Sequence, residues 1–298
     1  MLPELISIII PTYKRPPELL KRAVDSVLSQ DYANIEVIVV DDNAKLPEYR
    51  QQVITLMGKY AEDKRVAFIQ NEENLGGGGS RNQGVLMSHG KYLAFCDDDD
   101  WFMPRKLSKQ YLRLKKSEAS LCYCWCQGIN CKGNVVWENR KSKEGNLLVE
   151  TMTECIANTS LIMISRSEFE AIGGFELVPC KQDVLLELKL AANGGQFVCV
   201  PEFLVNYGCA EDSFERISNV SQKTVEGMLT VWEYARKHYD KLTRQQIRFV
   251  ESDTAFKLCE LTRILKDKKN YLQYLKIGLK NAPFSKRAVK SIVKGLIW

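Results

Sequence analysis

Residues 92–100 are Tyr-Leu-Ala-Phe-Cys-Asp-Asp-Asp-Asp, an apolar run that passes directly into four aspartates. An apolar run without alternation is typical of a strand that is buried on both faces of a parallel sheet. Two earlier runs have the same character, and proline or polar residues follow each of them. They are Leu-Ile-Ser-Ile-Ile-Ile at 5–10, before Pro11, and Ile-Glu-Val-Ile-Val-Val at 35–40, before Asp41-Asp42-Asn43.

Helical patterns separate the predicted strands. Helices are predicted at about 46–60 and about 80–88, with a third strand at 66–69 between them. Alternation of strand and helix predicts an α/β fold with a mostly parallel sheet and helices on its faces. Such sheets bind ligands beyond the carboxyl ends of their strands. The first helix shows a clear apolar face, formed by Leu20, Ala23, Val24, Val27 and Leu28.

The second half of the chain is less regular, and its last part is helical in pattern. The predicted elements are strands near 121–126, 159–165 and 196–200, a helix at about 183–193, and helices from about 220 with breaks near Asp240 and Pro283.

Composition narrows the class of protein. The chain has 298 residues, of which 45% are hydrophobic, enough for one large domain with or without a helical tail. No apolar run reaches the length of a membrane-spanning helix, and the N-terminus lacks the features of a signal peptide, so we expect a cytoplasmic protein. The ten cysteines are then expected to be reduced. With only two histidines, His89 and His238, acid–base chemistry is expected to fall to carboxylates.

The run Asp97–Asp100 is the strongest candidate for a functional site. Carboxylates this close together repel one another unless a cation compensates them. Mg²⁺ and Mn²⁺ take oxygen ligands, and Mg²⁺ usually keeps waters and substrate phosphates in its shell. A solvated acidic turn is the alternative. Because the predicted strand 92–96 carries the run to the edge of the sheet, we favour a metal site.

The glycine run Gly76–Gly79 precedes the helix predicted from about Ser80. It fits neither the Walker pattern nor the dinucleotide fingerprint, because the residues that each requires are missing. Arg81 falls in the first turn of the predicted helix, where an anion is favoured. A mobile loop is the alternative interpretation of the glycines.

The net charge of +5 comes from the C-terminus. Residues 268–298 hold eight basic and no acidic side chains, which leaves 34 basic against 37 acidic elsewhere. In 284–298 apolar and basic residues share one predicted helix, which fits an amphipathic helix on an anionic membrane or a solvated helix packed on the protein. No nucleic-acid-binding motif accompanies the charge, so we expect no nucleic-acid partner.

Several short motifs occur in a fixed order within residues 4–115. Together they resemble the nucleotide-sugar glycosyltransferases of family 2, which have the GT-A fold, a Rossmann-like sheet flanked by helices. A weaker resemblance continues to about Tyr207. The motifs are Ser7-Ile-Ile-Ile-Pro-Thr-Tyr13, Ser26-Val-Leu-Ser-Gln30, Glu36-Val-Ile-Val-Val-Asp-Asp-Asn43, Asn74-Leu-Gly76, Arg81-Asn-Gln-Gly84, Phe95-Cys-Asp-Asp-Asp-Asp-Trp101, Gly173-Gly-Phe175 and Gln182-Asp183.

The resemblance implies a domain organisation and an activity. A GT-A catalytic domain is expected at 1–218, with a nucleotide-sugar half at 1–115 and an acceptor half at 116–218. A helical extension with the basic tail is expected at 219–298. The implied reaction is the inverting transfer of a sugar from a nucleoside diphosphate, most commonly a UDP-sugar, with Mn²⁺ or Mg²⁺. The acceptor is expected to be a glycan or lipid-linked glycan in surface polysaccharide or glycolipid synthesis.

The resemblance also implies roles for individual residues, position by position. Pro11, Thr12, Tyr13 and Arg15 match the first nucleotide-contacting turn, Asp42 the carboxylate that holds the uracil, Arg81 a basic residue near the nucleotide, Asp98 a contact to the ribose or donor sugar, and Asp99 with Asp97 the metal ligands of the aspartate motif.

Asp183 matches the general base that the family places after the Gly-Gly-Phe turn. The residues alone favour a helix-capping aspartate at that position, and Glu176 and Glu187 are competitors for the role of base. The family also shows a tyrosine followed by basic residues where this chain has 205–209, Val-Asn-Tyr-Gly-Cys. An inactive nucleotide-sugar-binding module is the alternative function. A sugar nucleotidyltransferase is less favoured, because 11–17 lacks a glycine-rich phosphate loop.

Overall fold

The computed structural model describes residues 4–209 and 220–296, and of Leu296 only the backbone. The chain forms two compact units, which are described separately. The first comprises Met1–Leu147, Ile156–Leu177 and Lys189–Phe214, and the second comprises Leu148–Cys155, Val178–Leu188 and Glu215–Trp298. The predicted boundary between 218 and 219 lies outside the described residues and stays a prediction.

A mixed sheet forms the core of the first unit. Its described strands are β1 (Ile6–Thr12), β2 (Ile35–Asp41), β3 (Val66–Gln70), β4 (Tyr92–Phe95), β5 (Asp100–Phe102), β6 (Leu121–Asn130), β7 (Val135–Asn139), β8 (Met163–Ser165) and β9 (Phe197–Cys209). They follow the order β3-β2-β1-β4-β8-β6-β9-β5, and β7 pairs with β6. The first four in this order are parallel to one another, whereas β8 is antiparallel to both β4 and β6.

Strand β1 lies between β2 and β4 in the parallel half of the sheet. Its apolar side chains are buried on both faces, which is why this run of sequence is apolar throughout. Ile8 pairs with Val37 of β2 and with Ala94 of β4, and all three side chains are buried. Because the three strands are parallel and in register, their carboxyl ends meet at one edge of the sheet. Thr12, Asp41 and the aspartate run therefore lie close to one another.

Helices flank this sheet in the first unit. The predicted helix at 80–88 begins earlier than expected, since the glycines form its first turn instead of a loop. Residues predicted as one strand at 159–165 divide into a short 3-10 helix, Thr159–Leu161, and β8. The helices are α1 (Pro17–Leu28), α2 (Pro47–Met57, followed by a 3-10 turn at Gly58–Tyr60), α3 (Gly76–Leu86), α4 (Lys106–Ser117) and α6 (Arg166–Ala171), and α7 (Gln182–Ala192) ends in this unit.

The second unit is helical, as the pattern from residue 220 predicted. Two apolar clusters hold it together, one centred on Leu188 and Val250 and the other on Trp232 and Leu258. The predicted breaks near Asp240 and Pro283 are confirmed, because helices end at Arg236 and Asn281. The unit contains α5 (Leu148–Thr153), the start of α7, α8 (Gln222–Arg236), α9 (Arg244–Ile264), α10 (Lys268–Asn281) and α11 (Lys286–Leu296).

Two further findings bear on composition. No helix in residues 4–209 and 220–296 is long and apolar enough to cross a membrane. The ten cysteines all lie within these ranges, and no two of them form a disulfide.

Candidate active site

The turn that follows β1 folds against the aspartate run that follows β4. The Tyr13 N–H donates to Asp98 Oδ2 at 3.3 Å, and Arg15 Nε donates to Asp98 Oδ1 at 3.1 Å. Arg15 Nη2 also pairs with Asp99 Oδ2 at 2.8 Å. One guanidinium thus bridges two adjacent carboxylates, which offsets much of their mutual repulsion.

The shape of this turn depends on Lys14. Its φ of 53° lies in the left-handed region, and its N–H donates to Asn43 Oδ1 at 2.9 Å, which ties the turn to the end of β2. Pro11 and Thr12 are the last residues of β1, and Thr12 is buried, whereas Tyr13 is 42% exposed. The structure therefore presents an aromatic ring to solvent at the edge where ligands of parallel sheets bind.

Asp98 is an almost fully buried acid. Burial raises its pKa to about 7, the Arg15 guanidinium acts in the opposite direction, and the Asp99 charge raises it again. Its charge therefore changes near neutral pH, whereas an exposed aspartate is ionised there.

Asp97 and Arg81 form a second ion pair beside the first. Arg81 lies in α3, is largely buried, and its guanidinium carbon lies 5.5 Å from the centre of the Phe175 ring. The Asp97 N–H donates to Ser160 Oγ at 3.0 Å. The structure thus brings the predicted residues Arg15, Arg81 and the aspartates into one cluster of alternating charge.

Asp100 differs from its three neighbours. Its carboxylate accepts a hydrogen bond from Ser160 Oγ at 2.6 Å, and its pKa is raised well above the usual range by burial and then by the charges of Asp97 and Asp99. It also begins β5, which was not predicted. We assign Asp100 to the packing beneath the site.

Asp42, the predicted uracil contact, anchors the start of α3 in this structure. Its Oδ1 accepts from Asn71 Nδ2 at 2.7 Å and from the Leu75 N–H at 2.8 Å. Its Oδ2 accepts from Asn74 Nδ2 at 3.0 Å and from the Gly76 N–H at 2.9 Å. These donors occupy about four lone-pair positions, the full capacity of a carboxylate. The role of Asp42 toward a nucleotide stays a prediction.

The carboxylates of this site are candidate ligands for a divalent metal ion. In the described parts of the chain, no three histidine, cysteine or acidic side chains converge in a way that would enclose a metal. The Asp99 side chain is one-quarter exposed at the rim. A carboxylate there fits Mg²⁺ or Mn²⁺ that takes its other ligands from water and phosphate oxygens. The predicted ligand Asp97 is engaged with Arg81.

Asn82 links two motifs and was not predicted as a site residue. Its Nδ2 donates to the Phe175 carbonyl oxygen at 2.8 Å, and its Oδ1 accepts from the Phe175 N–H at 3.0 Å. The two residues before Phe175, Gly173 and Gly174, adopt left-handed φ angles of 72° and 64°. The position of Asn82 within the motif Arg81-Asn-Gln-Gly84 was the one feature of the sequence that could have indicated its importance.

The three candidate bases have different environments. Asp183 belongs to the second unit, in the first turn of α7, where Cys155 Sγ donates to its Oδ2 at 3.5 Å. Glu187, also in the second unit, is 1% exposed. Glu176 belongs to the first unit and pairs with Lys189 Nζ at 2.8 Å. Among the described residues, Asp183 is thus the one of the three that is neither enclosed nor paired with a cation.

Known proteins resemble this chain in sequence. An uncharacterized glycosyltransferase of Methanocaldococcus jannaschii is 29% identical over 206 residues, which are 68% of this chain and 70% of that protein. UDP-Glc:alpha-D-GlcNAc-diphosphoundecaprenol beta-1,3-glucosyltransferase WfgD of Escherichia coli is 33% identical over 119 residues, 40% of this chain and 44% of that protein.

The fold is similar to that of S. aureus TarS 1-349, crystallised in complex with UDP-GlcNAc. The TM-score is 0.63 at 15% identity, over 93% of this chain and 92% of that chain. This likeness confirms the predicted fold class. The sequence model described as Glycosyl transferase family 2 matches residues 7–173, more than half of the chain. The chain therefore belongs to glycosyl transferase family 2.

Proposed function

We propose that this chain is an inverting glycosyltransferase that moves a sugar from a UDP-sugar to a hydroxyl of a glycan or lipid-linked glycan, in surface polysaccharide or glycolipid synthesis. The observation that carries the proposal is the cluster of Arg15, Asp98 and Asp99 at the carboxyl edge of a parallel sheet. WfgD is named as a UDP-glucose enzyme and TarS was crystallised with UDP-GlcNAc, and both support a uridine nucleotide in the donor.

The nucleotide would bind along the edge formed by β1, β2 and α3. Tyr13 offers an exposed ring for the base. Arg15 and Arg81 offer guanidinium groups for the diphosphate, whose geometry they match in bidentate fashion. Asp98 would accept a hydrogen bond from a sugar hydroxyl, and the remaining contacts would come from Pro11, Thr12 and Asp42.

Asp99, with Asp97, would hold Mg²⁺ or Mn²⁺. A cation bound there supplies neutralisation of the charge that develops on the diphosphate as the glycosidic bond breaks. Because Arg15 already pairs with Asp99, we expect the guanidinium to shift toward the phosphates when a nucleotide binds.

Asp183 would be the general base. The acceptor oxygen attacks the anomeric carbon of the donor sugar, the bond from that carbon to the diphosphate breaks on the opposite face, and Asp183 takes the hydroxyl proton. The partial exposure of Asp183 supports this role. The enclosure of Glu187 and the ion pair of Glu176 favour Asp183 over both.

Peripheral membrane contact through α11 would suit a lipid-linked acceptor. One face of α11 packs within the second unit, where Ala288 is fully buried and Arg287 and Lys294 pair with acids of α9. The opposite face carries exposed apolar and basic residues, which are Val289, Ile292, Val293, Lys286 and Lys290, and Phe284 before the helix is 97% exposed. Ile297, which belongs to the predicted amphipathic segment 284–298, lies outside the described residues.

Thermal unfolding with Mn²⁺ and UDP, GDP, CDP or dTDP tests the proposal. A ligand at 100 times its dissociation constant adds about 2.7 kcal/mol to the free energy of unfolding, which is easily detected. We expect a metal-dependent increase in Tm with UDP and little with the other nucleotides. No increase in Tm with any nucleotide would contradict the nucleotide site and would favour a protein that has lost glycosyltransferase activity.

A further inference from the structure

The indole of Trp137 is a rigid aromatic surface on the hairpin of β6 and β7. Trp137 pairs across the hairpin with Gly128, and a Cβ on Gly128 would overlap the indole ring. The indole N–H donates to Cys209 Sγ at 3.2 Å, and the ring centre lies 5.5 Å from that of Tyr207. Despite these contacts, 40% of Trp137 is exposed. The ring is thus fixed in place while part of it faces solvent.

Three consecutive residues connect this indole to the aspartate run. Tyr207 touches the indole and pairs in register with Asp100 on β5. Gly208 follows, and a Cβ at that position would overlap the Asp99 carbonyl oxygen. Cys209 then accepts the indole hydrogen bond. The Trp137 surface and the backbone of the predicted metal ligand are therefore held together by one short segment of β9.

We propose that Trp137 is the stacking surface for a pyranose ring of the acceptor glycan, an inference that rests on the proposed function. A pyranose presents polarised C–H bonds on one face and hydroxyls at its edge. The negative face of an indole attracts such C–H groups. A side chain that is already fixed loses little conformational entropy when the sugar binds.

A second polypeptide is the competing occupant. In the described part of the sheet β7 pairs only with β6, and Val135 and Val136 are about half exposed. An edge strand of this kind can pair with another chain. The short connection from the indole through Tyr207 to Asp100, the residue after Asp99, favours a sugar over a second polypeptide.

Saturation-transfer NMR on the full chain tests the proposal. UDP is present, and Mg²⁺ is used instead of Mn²⁺. The probes are methyl glycosides of glucose, galactose, mannose and N-acetylglucosamine together with their β-linked disaccharides. We expect transfer to the ring C–H protons of at least one probe. Trp137→Ala is expected to weaken binding of that probe about tenfold or more, whereas Trp137→Phe, which keeps an aromatic face, loses much less. Val136→Ala on the same strand is the matched control.

Two outcomes overturn the proposal. One is the absence of transfer to every probe, and the other is equal transfer to wild type and Trp137→Ala. A concentration-dependent dimer that Trp137→Ala abolishes, without any sugar signal, would assign the surface to a second copy of the chain. The increase in Tm with UDP is measured on the same samples, and it shows that each variant is folded. Sugar binding without a UDP effect would contradict the proposed donor and leave the Trp137 surface intact.

Discussion

Asn82 in α3 forms two hydrogen bonds with the backbone of Phe175, one as donor and one as acceptor, across 93 positions of sequence. The same helix carries Arg81, which pairs with Asp97. The position of the Gly-Gly-Phe turn and the position of the arginine are therefore set by adjacent residues of one helix.

Replacing Asn82 should destabilise the protein. Asn82→Ala leaves the N–H and carbonyl groups of Phe175 without these partners, so we expect the free energy of unfolding to fall by about 1–3 kcal/mol. Urea denaturation measures the change. Gln83→Ala, at the next position of α3, is the control and should shift the midpoint much less. Equal effects of the two substitutions would show that the Asn82 hydrogen bonds contribute little.

Asp99→Ala should abolish transfer and leave the fold intact. Its ion pair with Arg15 is partly exposed, so the loss of stability should be about 1 kcal/mol or less. We expect turnover to fall about 100-fold or more, since charge stabilisation at the leaving group is lost. Sugar transfer from a UDP-sugar and Tm are measured on one sample. Normal turnover would remove Asp99 from the metal site. Glu202→Ala, which breaks an exposed ion pair with Lys109, is the control.

Asp183→Asn should prevent removal of the proton from the acceptor hydroxyl without affecting nucleotide binding. We expect transfer to fall by about 10²- to 10⁴-fold, the usual contribution of a general base, and the increase in Tm with UDP to persist. Glu176→Gln should retain most activity. Glu187→Gln is expected to act on stability, because this carboxylate is enclosed. Loss of transfer in Glu176→Gln with retention in Asp183→Asn would transfer the role to Glu176.

The docking of α11 should weaken in acid. Arg263 and then Lys294 lower the pKa of Glu260 to about 2. A folded-state pKa below the unfolded value stabilises the fold above pH 4.5, and this stabilisation disappears as the pH falls toward 2. Glu260→Gln should therefore lower Tm at pH 7, and the difference from wild type should shrink between pH 5 and pH 3. A difference that is independent of pH would rule out the charge of Glu260 as its cause.

The exposed face of α11 should bind anionic vesicles. We expect the full chain to float with vesicles that contain phosphatidylglycerol and to be released by high salt, since surface charges are screened. Val289→Glu with Val293→Glu should abolish flotation. Leu86→Glu, at a residue that is 78% exposed in the first unit, is the control. Flotation that persists in the double variant would place the membrane contact elsewhere.

The parallel half of the sheet was predictable because its strands are continuous apolar runs. Strands β5 and β7 were not, because Asp100–Phe102 becomes a strand only by pairing with β9, and Val135–Asn139 is mostly exposed. The aspartate run could be assigned to the edge of the sheet from topology, whereas the roles of Arg15 and Asp98 came from the family resemblance. The hydrogen-bond partners of the site residues could not be predicted. Asn82 contacts Phe175, and Cys155 contacts Asp183, only because the tertiary structure brings them together.

The attachment of Asp42 to the Leu75 and Gly76 N–H groups also bears on how the chain folds. Each glycine costs a helix about 1 kcal/mol relative to alanine, so Gly76–Gly79 has little tendency to become helical alone. The carboxylate that satisfies its first N–H groups follows β2, 33 positions before Leu75. Because contacts between residues far apart in sequence form more slowly than local ones, we expect the first turn of α3 to form only once β2 has joined the sheet.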